Sequence, residues 1–250
     1  MERKGQRRDP AQIYNSPAQR FERLLQKFRV KYQSGDRPVI ECLGTVIPEG
    51  AVIFDVGAHL GGYAKEFARL HHGNVFVHCF EPSPYNLSIL KDVTARLDNV
   101  RVSQLAFSDK AGTIDLYLPV KASGRLAIGL GHFGREEERD YVMERVETAT
   151  LDSYVVENEV PRLDFIKCDV EGAEFLVLKG AAETIRRFRP TIYVEVFESY
   201  MARMGHSARD IFDFLAPFEY DIYQMQFEPC AAVRVDGYQG PENYLFRAKS

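Results

Sequence analysis

The chain has 250 residues, of which 45% are hydrophobic and 27% are charged, and its formal net charge is −4. This composition is ordinary for a globular domain, so it excludes a collagen-like or largely disordered chain. The acidic balance argues against a protein that holds nucleic acid by overall charge, and no apolar run approaches the roughly 20 residues that span a bilayer.

The first 40 residues are predicted to form a basic tail and an amphipathic helix. Residues 1–31 hold nine lysines and arginines, which indicates either a solvated face or a docking arm for an acidic partner. Ser16 is a suitable N-cap, Pro17 fits the first helical position, and Gln19 would complete a capping box. No apolar segment of the secretory type follows the basic start, so a cytoplasmic location is expected.

The apolar residues after this cap predict where the helix packs. Phe21, Leu24, Leu25 and Phe28 recur at helical spacing and form one stripe. We therefore expect a helix over residues 17–32 that packs either on the main domain or on a second subunit. The second alternative would make the protein a homodimer through its N-terminal helix.

From residue 51 onward, short apolar runs alternate with helical segments, which is typical of a parallel sheet covered on both faces. Helices are expected from Ser83–Pro84 to about Leu97 and from Ser207 onward. The late runs 219–227 and 243–249 are predicted to pair as an antiparallel hairpin. The fold class is therefore a doubly wound α/β domain over residues 41–250, with buried strands at 51–56, 75–80, 100–107, 163–170 and 191–197.

The middle of the chain has a different pattern. Residues 113–120 and 141–148 alternate apolar and polar side chains, so they are expected to pair with each other. The stretch 121–140 between them has four glycines and no clear period. Long irregular stretches in compact domains are usually functional, and we expect a lid-like insertion at about 119–141.

The four cysteines show no metal-binding or CxxC spacing. Cys79 and Cys168 lie inside apolar runs, where a thiol is usually a small buried hydrophobe. Reduced thiols are the simpler expectation, and a single bridge between Cys42 and Cys230 stays open.

The first candidate site is the turn that follows the strand at 51–56. Glycines at this point let the chain turn sharply and approach a ligand closely. An acid precedes the first glycine and would repel a pyrophosphate, whereas it would attract a cationic group such as the sulfonium of S-adenosylmethionine. The spacing also differs from the dinucleotide-binding pattern, so a nicotinamide enzyme is not expected. The candidate cofactor-binding residues of this turn are Asp55, Gly57, Ala58, His59 and Gly61.

The second candidate site is Glu81, which closes the next strand and is followed by Pro82. An acid at this strand end can accept hydrogen bonds from both ribose hydroxyls of an adenosyl ligand. The alternative is an acid placed favourably at the start of a helix.

The third candidate site is an acidic cluster at residues 169–174. Asp169 is expected at the carboxyl end of the fourth strand, and Glu171 and Glu174 would share a face if a helix begins there. Such carboxylates could orient a sulfonium, deprotonate a hydroxyl or hold a divalent ion, and no metal site is predicted. Glu195, in an apolar run, and the histidines His59, His132 and His206 are further candidates.

The blocks VIFDVGAHLGGYA, CFEPSPYN, TLDSY and DFIKCDVEGAEFLVLKG resemble the FkbM family of S-adenosylmethionine-dependent methyltransferases over residues 51–226. The resemblance implies a class I methyltransferase fold with a seven-stranded sheet, mostly parallel, whose last strand is antiparallel. It also implies cofactor binding by Asp55, Gly57 and Glu81. Ala106, Ser108 and Asp109 would lie near the adenine, with Ser108 in place of the usual glycine. Asp169, Glu171 and Glu174 would border the transferred methyl group.

Members of this family typically methylate hydroxyl groups of sugars or secondary metabolites and release S-adenosylhomocysteine. The chain has no D/N-P-P-Y/F segment and no basic aromatic stripe, so the partner is expected to be a small molecule or carbohydrate rather than nucleic acid. We expect Asp169 to be the general base, with Glu195 or His132 as the next candidates. The alternative is a catalytically silent adenosyl-binding scaffold that acts through its N-terminal helix.

Overall fold

The computed structural model describes residues 5–33, 37–129, 131–133, 139–227 and 230–249. In chain order its helices and strands are β1 (Arg7–Arg8), α1 (Pro10–Asn15), α2 (Pro17–Tyr32), α3 (Arg37–Gly44), β2 (Ala51–Val56), α4 (Gly62–Phe67), β3 (Val75–Phe80), α5 (Pro84–Thr94), β4 (Val100–Ser103), β5 (Ala106–Phe107), β6 (Gly112–Pro119), β7 (His132–Phe133), β8 (Tyr141–Ala149), α6 (Leu151–Glu157), β9 (Phe165–Cys168), α7 (Glu174–Lys179), α8 (Ala182–Phe188), β10 (Thr191–Val196), α9 (Glu198–Met201), α10 (Ala208–Leu215), β11 (Tyr220–Phe227), β12 (Cys230–Val235) and β13 (Glu242–Ala248).

The main sheet has the strand order β12-β11-β13-β10-β9-β2-β3-β4. Strands β4, β3, β2, β9 and β10 are parallel, as the apolar runs predict, and β13 is antiparallel to both β10 and β11. One face is covered by α6, α7, α8 and α10, and the other by α3, α4 and α5. The predicted doubly wound α/β class and the pairing of the two late runs are therefore confirmed.

The expected number of seven strands is wrong for the part of the chain that the structure describes, because this sheet has eight. The additional strand is β12, which pairs with β11 at the edge of the sheet. Its residues are mostly exposed, so it lacks the apolar run that identifies the buried strands.

Several predicted boundaries also shift. The run 100–107 divides into β4 and β5, because the chain leaves the main sheet after Ser103 and residues 106–107 pair with β8 instead. The run 163–170 contributes only the four residues of β9 to the sheet, and the helix expected to reach Leu97 ends at Thr94. In each case an apolar residue lies a few positions beyond the end of the element, at Leu105, Val170 and Leu97, so the sequence pattern overestimates the length of the element.

A second, smaller sheet covers the carboxyl edge of the main sheet. Its centre is the predicted antiparallel pair, β6 with β8, to which β7, β1 and β5 add short strands. Buried apolar side chains of this pair contact α5, among them Leu116, Leu118 and Val142. Of the insertion expected at 119–141, residues 130 and 134–138 lie outside the described residues. The proposed division of the chain at residue 40 stays a prediction.

The predicted helix over residues 17–32 is confirmed as α2, and the hydroxyl of Ser16 accepts a hydrogen bond from the backbone of Gln19. The expected role of the Gln19 side chain is wrong, however. It is fully buried, donates to the Tyr85 hydroxyl (2.6 Å) and accepts from the Leu126 backbone (2.9 Å). Gln19 therefore fastens α2 to α5 and to the segment after β6 rather than completing a capping box.

Replacing Gln19 by alanine should lower the free energy of unfolding by about 1–3 kcal/mol, because the buried Leu126 N–H would lose its acceptor. Equilibrium urea denaturation measures the change. The control is Gln12→Ala on the exposed side of α1, which should leave stability within about 0.5 kcal/mol of the parent. Equal effects of the two changes would contradict the assignment.

Cys42 of α3 and Cys230 of β12 form a disulfide, which decides between the two alternatives that the sequence left open. Cys79 and Cys168 are free and buried, as expected. Disulfides persist mainly in oxidising compartments, so the cytoplasmic location stays a prediction to which this bridge gives no support. None of the described helices has the length and apolar character needed to cross a bilayer.

Candidate active site

A cavity lies at the carboxyl ends of β2, β3 and β9, beneath the smaller sheet. Parallel strands bring these ends to one edge, which is where open α/β sheets bind ligands. The floor carries polar and backbone groups, and the roof is apolar. The residues that line the floor include Gly57, His59, Glu81, Pro82, Asp169 and Glu171, and those of the side and roof include Ala106, Phe107, Leu116, Leu118, Leu126 and Phe133.

The turn after β2 is held tightly against the neighbouring loop. Gly57 has a left-handed backbone with φ of 77°, and a Cβ there would lie 1.9 Å from the Asp169 carbonyl oxygen. The Gly57 and Ala58 N–H groups both donate to the Phe80 carbonyl, at 3.1 and 3.0 Å. Only glycine fits this position, because any side chain would strain the backbone and collide with the loop after β9.

Glu81 lies on the cavity floor, where three donors orient its carboxylate. These donors are the His59 N–H (2.9 Å), the Ser83 N–H (2.9 Å) and the Asn86 side-chain amide (3.3 Å). Burial raises the pKa of Glu81 to about 7, although the three hydrogen bonds act in the opposite direction. The carboxylate is thus fixed in place before any ligand arrives.

Asp55 does not line the cavity. It is wholly buried behind the turn, and Lys167 lies within reach of both this acid and Asp169. The Lys167 Nζ is 3.5 Å from Asp55 Oδ1 and 3.2 Å from Asp169 Oδ2, and it donates to the Gly57 carbonyl at 2.9 Å. Any influence of Asp55 on a ligand therefore passes through Lys167 and the turn rather than through direct contact.

Sequence reasoning missed Lys167, although one signal could have revealed it. It is a lone charge inside the apolar run of β9, as Glu195 is inside β10. Burial acts to lower the pKa of Lys167, but the carboxylates of Asp169 and Asp55 outweigh it and raise that pKa above its ordinary value. Lys167 is therefore a buried cation that offsets two carboxylates and holds the backbone of the turn.

The carboxylates predicted at residues 169–174 separate into two roles. Asp169 and Glu171 line the cavity. Glu174 instead accepts from the Val170 and Gly172 N–H groups at 2.9 and 3.1 Å, so it fixes the loop from beneath. The expected shared helical face of Glu171 and Glu174 is wrong, because α7 begins only at Glu174 and Glu171 precedes it with a left-handed backbone.

The structure brings Glu195 close to Asp169 and Glu171. Burial, followed by the charges of Asp169 and Glu171, raises the pKa of Glu195 to about 8. Burial, followed by the charges of Asp169 and Glu174, raises the pKa of Glu171 to about 7. Asp169 and Glu195 thus form a carboxyl pair in which Glu195 retains a proton near neutral pH.

Other predicted residues lie away from the cavity wall. His132 is buried on β7 and its ring stacks on Tyr117, while its neighbours Gly131 and Phe133 line the cavity instead. Asp109 pairs with Lys179 at 3.0 Å because the chain turns outward after β5, and Ala106 and Phe107 take the lining positions. The remaining predicted residues outside the lining are Ala58, Gly61, Ser108 and Glu195, the last of which lies behind Asp169.

A catalytic role is not supported for His206, whose ring packs against Phe175. His59, by contrast, reaches the cavity, and burial is the largest cause that lowers its pKa to about 4. Within the described part of the chain, the Nε2 of His59 has no hydrogen-bond partner. Among the residues that the structure describes, no group of His, Cys, Asp and Glu could hold a metal ion.

Comparison with known proteins supports the family resemblance. Residues 55–223 match the model of the methyltransferase FkbM domain. The chain is 29% identical over 178 residues to the 2-O-methyltransferase NoeI of Sinorhizobium fredii, which covers 67% of this chain and 72% of that protein. It is 30% identical over 164 residues to the 31-O-demethyl-FK506 methyltransferase FkbM of Streptomyces tacrolimicus, which covers 56% of this chain and 63% of the relative.

A solved structure shares the fold. The crystal structure of methyltransferase FkbM from Methylobacillus flagellatus superposes with a TM-score of 0.50 at 17% identity. The match covers 79% of this chain and 43% of the other. At this identity the likeness concerns the architecture of the domain.

Proposed function

Because the chain belongs to the FkbM methyltransferase domain family, we propose that it is an S-adenosylmethionine-dependent O-methyltransferase that acts on a hydroxyl group of a sugar or secondary metabolite. The observation that carries this proposal is the placement of two carboxylates, Glu81 and Asp169, on the floor of one cavity beside the Gly57 turn. The names of two relatives, one for 2-O-methyl transfer and one for methylation of 31-O-demethyl-FK506, support oxygen as the acceptor atom.

The residues of the cavity fit an adenosyl sulfonium. Glu81 can accept hydrogen bonds from the two ribose hydroxyls, since its carboxylate is already oriented by three donors. Ala106 and Phe107 offer an apolar surface to the adenine ring. Asp169 and Glu171 place negative charge at the other end of the cavity, where it would attract the sulfonium.

Bound in this cavity, the cofactor supplies an electrophilic methyl group. The protein positions the two reactants, excludes water from them and supplies a general base. Leu116, Leu118 and Phe133 of the smaller sheet cover the cavity and exclude water. Asp169 accepts the proton of the acceptor hydroxyl at its carboxylate, and the neighbouring Glu195 does not compete for it, because burial raises the pKa of Glu195 to about 8 and this carboxyl already holds a proton at neutral pH. A positioned base of this kind accelerates a reaction about 10²–10⁴-fold.

Replacing Glu81 by glutamine should weaken S-adenosylmethionine binding about 10- to 100-fold, because hydrogen bonds to a charged acceptor contribute about 1.5–3 kcal/mol each. Isothermal titration calorimetry measures the affinity. Glu157→Gln, on the exposed side of α6, is the matched control and should bind as the parent does. Unchanged affinity in the Glu81 variant would show that Glu81 does not bind the ribose hydroxyls.

The activity itself is tested by incubating the protein with S-adenosylmethionine and a panel of hydroxyl compounds, including sugars, sugar acids and polyketide alcohols. Formation of S-adenosylhomocysteine that depends on one of these compounds is the expected result. A protein that binds the cofactor and yields no product above background with any acceptor would instead be a silent scaffold.

A further inference from the structure

Helix α2 packs with its polar side against the domain and its apolar side toward solvent. The inward side carries Gln19, whose side chain is fully buried, and Gln26, which accepts a hydrogen bond from the Tyr85 hydroxyl. The outward stripe consists of Phe21, Leu24, Phe28 and Tyr32, which are 61%, 64%, 61% and 66% exposed. The predicted amphipathic stripe is therefore present but does not pack on the main domain.

This stripe is held in a fixed orientation. Besides the Gln19 contacts, Glu22 pairs with Arg125 at 2.8 Å and Lys27 pairs with Asp92. The buried Lys65 donates to the Val30 and Gln33 carbonyls at 2.6 and 3.0 Å, so the last turn of α2 is also fastened. The exposure of the aromatic side chains is thus a property of the folded protein rather than of a frayed end.

Positive charge flanks the stripe on both sides. At 100° per residue, Arg20 and Lys31 border one side of the outward face and Arg29 borders the other. All three side chains are exposed. The only acid within residues 17–32 is Glu22, which is turned inward to Arg125. The outward face therefore combines apolar and aromatic surface with cations alone.

We propose that this face of α2 docks on an anionic lipid surface, with the helix lying in the plane of the interface. Apolar side chains between basic flanks are the pattern of interfacial helices, in which burial of the apolar face and attraction to anionic headgroups act together. A helix of 16 residues offers about 24 Å of such a face. The proposal concerns α2 and is independent of the reaction carried out in the cavity.

Charge favours lipid over a second copy of this chain as the occupant. A two-fold contact pairs the same surface from both subunits, so it would bring the two sets of basic flanks together. No acid of α2 is available on the outward face to offset them. A homodimer through this helix, which the sequence left as an alternative, is therefore the competing outcome of the test.

The chain has no tryptophan, so a single introduced indole reports on one position only. Phe28→Trp places it in the stripe, and Val156→Trp places it on α6, where Val156 is 72% exposed compared with 61% for Phe28. With vesicles of phosphatidylcholine and phosphatidylglycerol, the emission of Phe28→Trp should shift to the blue, and that of Val156→Trp should not. Vesicles of phosphatidylcholine alone should give a much smaller shift.

Co-sedimentation with the same vesicles completes the test. The parent should pellet with anionic vesicles, and the variant F21S/F28S and the variant R20E/K31E should each lose at least 10-fold in the bound fraction. Thermal unfolding should be unchanged in both variants, since all four side chains are exposed. Absence of binding by the parent would overturn the proposal, and so would a parent dimer that F21S/F28S converts to monomer without any binding to vesicles.

Discussion

Replacing Lys167 by methionine should lower the free energy of unfolding by about 3–5 kcal/mol, because removing one partner of a buried ion pair leaves its counter-charge buried and uncompensated. Lys167 is 3% exposed and is the partner of two carboxylates, Asp55 and Asp169. It also donates to the Gly57 carbonyl, so the turn would lose a fixed contact. Urea denaturation of the parent and the variant measures the loss.

The chain offers a matched control in Lys179, which lies 3.0 Å from Asp109 but is 52% exposed. Surface pairs contribute about 0–1 kcal/mol, so Lys179→Met should have a small effect. The double variant K167M/D55N should recover part of the stability lost in K167M, because it removes one of the two carboxylate charges that K167M leaves without a cation. If K167M lowers the free energy of unfolding no more than K179M does, the ion pairs of Lys167 with Asp55 and Asp169 contribute little to stability.

The parts of the site that the sequence could predict are those fixed by topology. Asp55, Glu81 and Asp169 each stand at the end of an apolar run, and parallel strands must bring such ends to one edge. The family blocks carry the same residues, and the matched domain at residues 55–223 confirms that resemblance. The positions of these acids along the chain were sufficient to predict this, because each strand is a short, buried run of almost only apolar residues.

The parts that could not be predicted depend on which way a side chain points. Asp55 and Glu81 end neighbouring strands, yet one faces Lys167 behind the turn and the other faces the cavity. Periodicity identified the apolar stripe of α2 but not that this stripe would face solvent, because the inward side is held by hydrogen bonds and ion pairs. Contacts between distant segments, such as Cys42 with Cys230, leave no local signal.

Replacing Asp169 by asparagine should lower kcat about 10²–10⁴-fold and leave the affinity for S-adenosylmethionine within about threefold, because the amide keeps the shape of the side chain but cannot accept the proton. Single-turnover rates and calorimetric affinities separate the two effects. Glu198→Gln, outside the cavity lining at the start of α9, is the control and should keep the parent rate. An Asp169→Asn variant that turns over at the parent rate would remove Asp169 from the reaction.

The pH profile distinguishes the two carboxyls of the pair. Burial and the charge of Asp169 raise the pKa of Glu195 to about 8, so Glu195 holds a proton below this pH and releases it above. Only the group that takes the proton of the acceptor must be unprotonated, so with Asp169 as the base the kcat of the parent should not follow the titration of Glu195. Glu195→Gln should therefore keep most of the activity and the pH profile of the parent, whereas a parent kcat that rises with pH and levels off above about 8 would contradict this assignment. Loss of activity in Glu195→Gln as severe as in Asp169→Asn would instead identify Glu195 as the residue that takes the proton.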